Sequence, residues 1–372
     1  MNICFYTHAM PVPTIGGVER VTFNLCRAFR DRGMNVFNLC SRGKDADALI
    51  PQNVSDEEKS AFVNRFLHDN KIAILIDQYG ESYLTHPAID RNIRLIRCFH
   101  THPYQKHLTR SLLEVVSFHN PGYSLQSIAF ALNGLRRSMR TRKSYANLRD
   151  KWAVDKLVFL CDEYAREIGL RYNIPDKLLA AIPNAAGDEI YSGEHNASKT
   201  IMWCGRMAQN PKNIFALPRI WRRLSQSHPD WQLVLVGDGI DRPLLERRIK
   251  KYKLQRITIT GNANPFPYYS TSRIFIFPSY SEGFGMVLLE AMAHGCVPVV
   301  FDNSAAFHDI IEHEVNGMIV PDLDEKAFAE ACSRMMDNEN LRLQMAEEAK
   351  KKVADFSMDN ICKRWINLFN TI

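Results

Sequence analysis

At 372 residues the chain is too long for one comfortable core, so two domains of ordinary size are expected. Its 46% hydrophobic and 24% charged residues exclude a disordered polymer, and its best candidate for a membrane span, Ile72–Ile76, is far too short to cross a bilayer. The net charge of +6 suits an anionic ligand or membrane surface without requiring either.

The opening residues, Met1-Asn2-Ile3-Cys4-Phe5-Tyr6, lack a basic region leading into an apolar stretch, so no secretion signal is read. Asn2–Thr7 is predicted as a strand and is followed by a turn at Gly16-Gly17. Val18–Arg32 then places Val21, Leu25, Ala28 and Phe29 on one helical face, and Val36–Cys40 follows as a second strand. Further strands are predicted at Ile72–Ile76, Leu95–Phe99 and Leu157–Leu160. A second cycle begins after Pro183-Asn184, with strands at Thr200–Cys204, Gln232–Val236, Ile257–Thr260, Ile274–Phe277 and Val297–Phe301. Helices are predicted around Phe215–Gln226, Arg242–Lys253, Met286–Ala293 and Glu325–Met336. Alternating strands and helices of this kind specify α/β architecture with parallel sheets. The nine cysteines are scattered singly, several of them in apolar runs (Cys98, Cys161, Cys204 and Cys296). That usage fits a reducing, cytoplasmic compartment, with no disulfide framework and no zinc site.

The chemistry concentrates in the second cycle. Ser281-Glu282-Gly283-Phe284-Gly285-Met286 leads into a helix that carries Glu290. Glycines let a backbone approach a ligand closely, and a helix start offers unpaired N–H groups equivalent to about half a positive charge. The loop is therefore a candidate diphosphate site, in which Glu290 accepts hydrogen bonds from ribose hydroxyls and Glu282 reaches a sugar. Gly205-Arg206 follows one strand and Lys212-Asn213 precedes the next helix, so an arginine fork and a lysine point charge converge on the same rim. Gly237-Asp238-Gly239 closes a neighbouring strand at that rim, where open parallel sheets bind ligands.

Taken in order, these landmarks identify the chain as similar to glycosyltransferase family 4. They are Gly16-Gly17-Val18-Glu19, Pro183-Asn184, Gly205-Arg206, Lys212-Asn213, the Glu282-x7-Glu290 pair and Asn316-Gly317. The resemblance implies the GT-B fold, two Rossmann-like domains facing a central cleft. Residues 1–190 would form the acceptor domain and 191–355 the nucleotide-sugar domain, with 356–372 a helix returning to the first. It implies catalytic roles for His100, Arg206, Lys212 and Glu282. Donor binding falls to Gly16, Gly17, Gly205, Arg206, Lys212, Gly237, Glu282, Gly283, Phe284, Gly285, Met286 and Glu290. His100, at the end of a strand and followed by Thr101-His102-Pro103, aligns best with a functional histidine of the family. Two departures stand out: Ala185 where the family has glycine after Pro-Asn, and Ser304-Ala305-Ala306 where it often has a Gly-Gly pair.

The resemblance further implies retention at the anomeric carbon. The donor is a nucleotide diphosphate-sugar, with UDP the leading nucleotide, and the acceptor is a saccharide or lipid-linked saccharide of the kind built into bacterial surface glycans. No Asp-x-Asp motif stands at a strand end, so no metal and no cofactor are expected; the cationic groups neutralise the leaving diphosphate. The segment Asn133–Lys156 is rich in arginine and lysine, and its Arg136, Arg137 and Arg140 are expected at an anionic acceptor or at the inner face of the cytoplasmic membrane. It lacks the interleaved aromatics of a nucleic-acid surface. A nucleotide-sugar 2-epimerase and a non-catalytic sugar-nucleotide-binding protein are the alternatives.

Overall fold

The structure is a computed structural model and describes residues 1–12, 16–79, 89–101, 154–187 and 198–372. The chain divides into two compact units, Met1–Ala185 with Met358–Ile372, and Ala186–Ser357. No described helix is long and apolar enough to cross a membrane.

The first unit is a parallel sheet of β1 (Asn2–Ala9), β2 (Asn35–Arg42), β3 (Ala48–Leu49), β4 (Ile74–Asp77), β5 (Arg94–Cys98), β6 (Lys156–Phe159) and β7 (Leu179–Ala181), in the order β3-β2-β1-β4-β5-β6-β7. Strands buried on both faces read as continuous apolar runs, which is why Ile74-Leu75-Ile76 and Leu157-Val158-Phe159 form strands. Helices α1 (Gly17–Arg30), α2 (Asp56–Asp69) and α3 (Asp162–Tyr172) connect them. The α2 start is fixed by a capping box, in which the Ser55 hydroxyl accepts from the Glu58 amide and the Glu58 carboxylate accepts from the Ser55 amide. Strand direction of progress reverses between β1 and β4, so the carboxyl ends of those two strands frame the crevice in which such sheets bind ligands.

The second unit repeats the plan with six parallel strands: β8 (Thr200–Cys204), β9 (Gln232–Val236), β10 (Ile257–Ile259), β11 (Ile274–Phe277), β12 (Val297–Phe301) and β13 (Met318–Val320). Their order is β10-β9-β8-β11-β12-β13. The helices are α4 (Ala216–Leu224), α5 (Arg242–Lys251), α6 (Phe266–Thr271), α7 (Met286–Ala293), α8 (Ala305–Ile310), α9 (Glu325–Asp337) and α10 (Glu339–Val353). Here the order reverses between β8 and β11. The last helix, α11 (Met358–Phe369), belongs to the first unit. There Phe369 meets Phe29 of α1 with ring centroids 5.6 Å apart, and Asp359 pairs with Arg32 at 2.6 Å.

In the second unit the exits of β8 and β9 are knitted together by backbone alone. The Gly205 amide donates to Val236 O at 3.0 Å and the Met207 amide to Asp238 O at 2.7 Å. A Cβ on Gly237, whose φ is +135°, would lie 2.0 Å from Gly205 O, so only glycine fits. Gly237→Ala should therefore destabilise the unit by about 2–3 kcal/mol, the upper part of the range for overpacking a site that cannot yield. Urea unfolding measures this, and parental stability would show that the two loops separate without cost.

Candidate active site

At the rim of the second unit, three segments converge where β8 and β11 diverge. The first is the β8 exit, Gly205-Arg206-Met207, whose backbone is held against β9. Its Arg206 side chain is exposed and makes no ion pair among the described residues. The second is the turn around Gln209–Lys212, which is fastened to the β11 exit. The Asn213 Nδ2 donates to Pro278 O at 3.0 Å, the Tyr280 amide donates to Pro211 O at 2.8 Å, and the Gln209 Nε2 donates to the Tyr280 hydroxyl at 2.8 Å. These bonds carry Lys212 to the third segment, the glutamate loop. Its Nζ donates to Glu282 Oε1 at 2.6 Å, with the two side chains 20% and 12% exposed. The ammonium also lies 5.2 Å from the centre of the Phe277 ring, a favourable cation–π distance.

The glutamate loop ends in a left-handed Gly285, φ +93°, which opens α7; a Cβ there would meet Leu288 at 2.9 Å. No side chain caps α7, so its start lies at the rim with no side-chain acceptor for its first amides. Ser304, the departure from the family's glycine pair, adds a bond from its hydroxyl to the Glu282 carbonyl at 3.4 Å. Glu290 lies one turn into α7 and is only 2% exposed. One carboxylate oxygen accepts from the Tyr269 hydroxyl at 3.0 Å.

In the first unit, the crevice between β1 and β4 gathers a different set. The Tyr79 hydroxyl donates to Glu19 Oε1 at 2.9 Å, and the His8 ring packs on Tyr79 with centroids 4.3 Å apart. Burial, then the bond to Glu19, raises the Tyr79 phenol well above its ordinary pKa, so it stays a donor. Just past the end of β5, His100 Nε2 bonds Gln78 Oε1 at 2.6 Å. Burial lowers the imidazole to a pKa of about 4 against the opposing influence of Glu19 and Asn184, so the ring is neutral at neutral pH. With the Nε2–H donated to Gln78, Nδ1 is an acceptor. A crevice beside it is lined by Gln78, Cys98, Pro183, Asn184 and Trp365. The buried pair Asp77 and Arg97, 3.8 Å apart on neighbouring strands, lies at the strand ends that carry Gln78 and His100.

Residues 198–338 match the family described as Glycosyl transferases group 1. The match lies within the second unit. An uncharacterized glycosyltransferase of Haemophilus influenzae is 28% identical over 45% of this chain and 48% of its own length. The capsular polysaccharide biosynthesis glycosyltransferase CapM of Staphylococcus aureus is 33% identical over 50% of this chain and 49% of its own. The chain thus spans about half the length of the curated relatives it matches. HepE of Anabaena, solved in complex with UDP, covers 100% of both chains with a TM-score of 0.74 at 15% identity, which establishes the GT-B fold.

The second unit brings Gly205, Arg206, Lys212, Glu282, Gly283, Gly285 and Met286 to one rim, with Glu290 just beneath it. Phe284 is 3% exposed and packs on Phe356, ring centroids 5.7 Å apart, so its side chain lies in the core. Gly237 is required by its close contact with Gly205. In the first unit Gly16 and Gly17 lead into α1, and among the described residues nothing lies within 4 Å of a Cβ on Gly17. Arg136, Arg137, Arg140 and His102 lie outside the described residues. Sequence reasoning missed Tyr269, Gln78 and Tyr79. Gln78 and Tyr79 directly follow a strand, a positional signal that was available, whereas nothing in the sequence joins Tyr269 to Glu290. None of the nine cysteines is in a disulfide, and among the described residues no three His, Cys, Asp or Glu side chains group as a metal site.

His100 has a lower pKa in the folded protein than the ordinary value of 6.5, so the unfolded chain binds its proton first. Stability is complete above the ordinary value and falls as pH drops toward about 4. Between neutral pH and about pH 4.5, the parent should lose on the order of 2 kcal/mol more than His100→Gln. Denaturant melts across that range measure the difference, and identical pH profiles would place His100 in solvent.

Proposed function

We propose that the chain is a retaining, metal-independent glycosyltransferase of family 4. It moves a hexosyl group from a nucleoside diphosphate, UDP leading, to a saccharide or lipid-linked saccharide in surface polysaccharide synthesis. The observation that carries this is the convergence of Arg206, the Lys212–Glu282 pair and the uncapped start of α7 on one rim. Two cations and a helix dipole suit a leaving diphosphate, and a carboxylate beside them suits sugar hydroxyls. The polysaccharide role is supported by the name of the Staphylococcus aureus relative, and the nucleotide by the UDP in the HepE structure.

In the reaction, the acceptor oxygen bonds to the anomeric carbon on the face from which the diphosphate oxygen departs. The acceptor proton passes to the departing phosphate. Arg206 and Lys212 stabilise the charge that grows on that phosphate, in place of a divalent ion. On the acceptor side, His100 offers Nδ1 to a hydroxyl, and Arg136, Arg137 and Arg140 hold the protein at the cytoplasmic face of an anionic membrane where a lipid-linked acceptor resides.

The test is a panel of UDP-, GDP- and ADP-sugars incubated with and without saccharide acceptors. Transfer or slow hydrolysis of one donor, undiminished by EDTA, is expected. Isomerisation of the donor without acceptor would establish the epimerase instead, and activity lost to EDTA and restored by magnesium would overturn the metal-free mechanism. With the right donor, Arg206→Ala and Lys212→Ala should each lower turnover by about 10²–10³, the scale for losing one preorganised donor to a transition state. Lys212→Ala should also lower the melting temperature, because it leaves Glu282 half-buried without its cation, whereas the exposed Arg206 should not. Undiminished turnover in both variants would remove them from the site.

A further inference from the structure

A carboxylate as buried as Glu290, 2% exposed within an apolar helix, is costly to desolvate unless partners hold it. Its neighbours explain how the charge is kept and aimed. Tyr269, from α6, is fully buried, and its hydroxyl donates to Glu290 Oε2 at 3.0 Å. The ring is fixed on two sides. It stacks on His294 with centroids 5.7 Å apart and meets Phe275 at 5.7 Å. His294 in turn donates from Nδ1 to the backbone carbonyl of Glu290 at 2.8 Å, so the same side chain clamps the phenol and the helix turn that bears the carboxylate. Burial and the charge of Glu290 raise the Tyr269 phenol well above its ordinary pKa, which keeps it a donor at all working pH.

We propose that Tyr269 is the positioning residue for donor nucleotide recognition. Its hydroxyl fixes the rotamer of the Glu290 carboxylate that meets the ribose hydroxyls. A carboxylate has about four acceptor sites, so a single phenol does not fill it. The inference rests on the reading of the second unit as the donor site. It assigns to that site a residue that touches neither the diphosphate nor the sugar and acts only through Glu290. The physical advantage is preorganisation. Without the phenol, the carboxylate has to find its orientation at the moment of binding, and that entropy is subtracted from the affinity.

Tyr269→Phe keeps the ring and its stacking and deletes only the hydroxyl. Calorimetry would compare the parent, Tyr269→Phe, Glu290→Ala and the double variant. The ligands are whichever of UDP, GDP or ADP the parent binds most tightly, its 2′-deoxy form, and inorganic pyrophosphate. In the parent, loss of the 2′-hydroxyl should weaken binding. Tyr269→Phe should weaken the nucleoside diphosphate by about tenfold, shrink its preference over the 2′-deoxy form, and leave pyrophosphate binding unchanged. The double variant should be no weaker than Glu290→Ala, because the two residues act as one unit. Equal losses for all three ligands would mean general damage to the site and would overturn the proposal. Retention of the ribose preference in Tyr269→Phe, with its loss in Glu290→Ala, would leave the donor reading standing and refute the role of Tyr269. Retention in Glu290→Ala as well would refute the ribose contact itself.

Discussion

The close approach of Gly237 to Gly205 is the constraint on which the second unit depends. With no Cβ between them, the exits of β8 and β9 continue as a short backbone ladder beyond the sheet. The turn that bears Arg206 is thereby held rigid at the point where the strand order reverses. A bulkier pair of residues would push the β8 exit outward and carry Arg206 away from the glutamate loop.

The other half of the rim is fixed from the opposite side. Asn213, Pro211 and Gln209 bind the β11 exit, so Lys212 and Glu282, seventy residues apart in the chain, meet as a half-buried pair. The pair places opposite charges a hydrogen bond apart at the mouth of α7. The ammonium is thereby held in one orientation by the carboxylate. Beneath them the Tyr269–Glu290–His294 group anchors the first turns of the same helix. The rim pair is thus backed by a bonded group in the layer beneath it.

The two units use their switch points differently. In the second unit the rim is cationic and backed by a helix start. In the first unit the corresponding crevice holds neutral and acceptor groups: His100 kept neutral by burial, Gln78, Tyr79 and Glu19. The difference in charge between the two surfaces follows from these side chains rather than from the sheet plan, which is alike in both units.

The sequence by itself determined the elements whose signal is local. Thr200–Cys204, Gln232–Val236, Ile274–Phe277 and Val297–Phe301 stand where their apolar runs place them, because strands buried on both faces must be continuously apolar, and the helix Met286–Ala293 follows its glycine loop. Glycine pairs and charged residues at strand ends marked the rim for the same reason: strand ends of a parallel sheet are where such residues are exposed. The short edge strands Ala48–Leu49, Leu179–Ala181 and Met318–Val320 were not legible, since two or three residues carry no periodicity, and neither was α10, whose apolar face is diluted by charge. The capping box at Ser55 and Glu58 was a readable start for α2 that the apolar pattern alone did not reveal. Only tertiary structure decided that Phe284 turns inward, that Gly237 serves Gly205, and that Tyr269 reaches Glu290. Each of these depends on which atoms meet across elements distant in the chain, and no local pattern of residues encodes that.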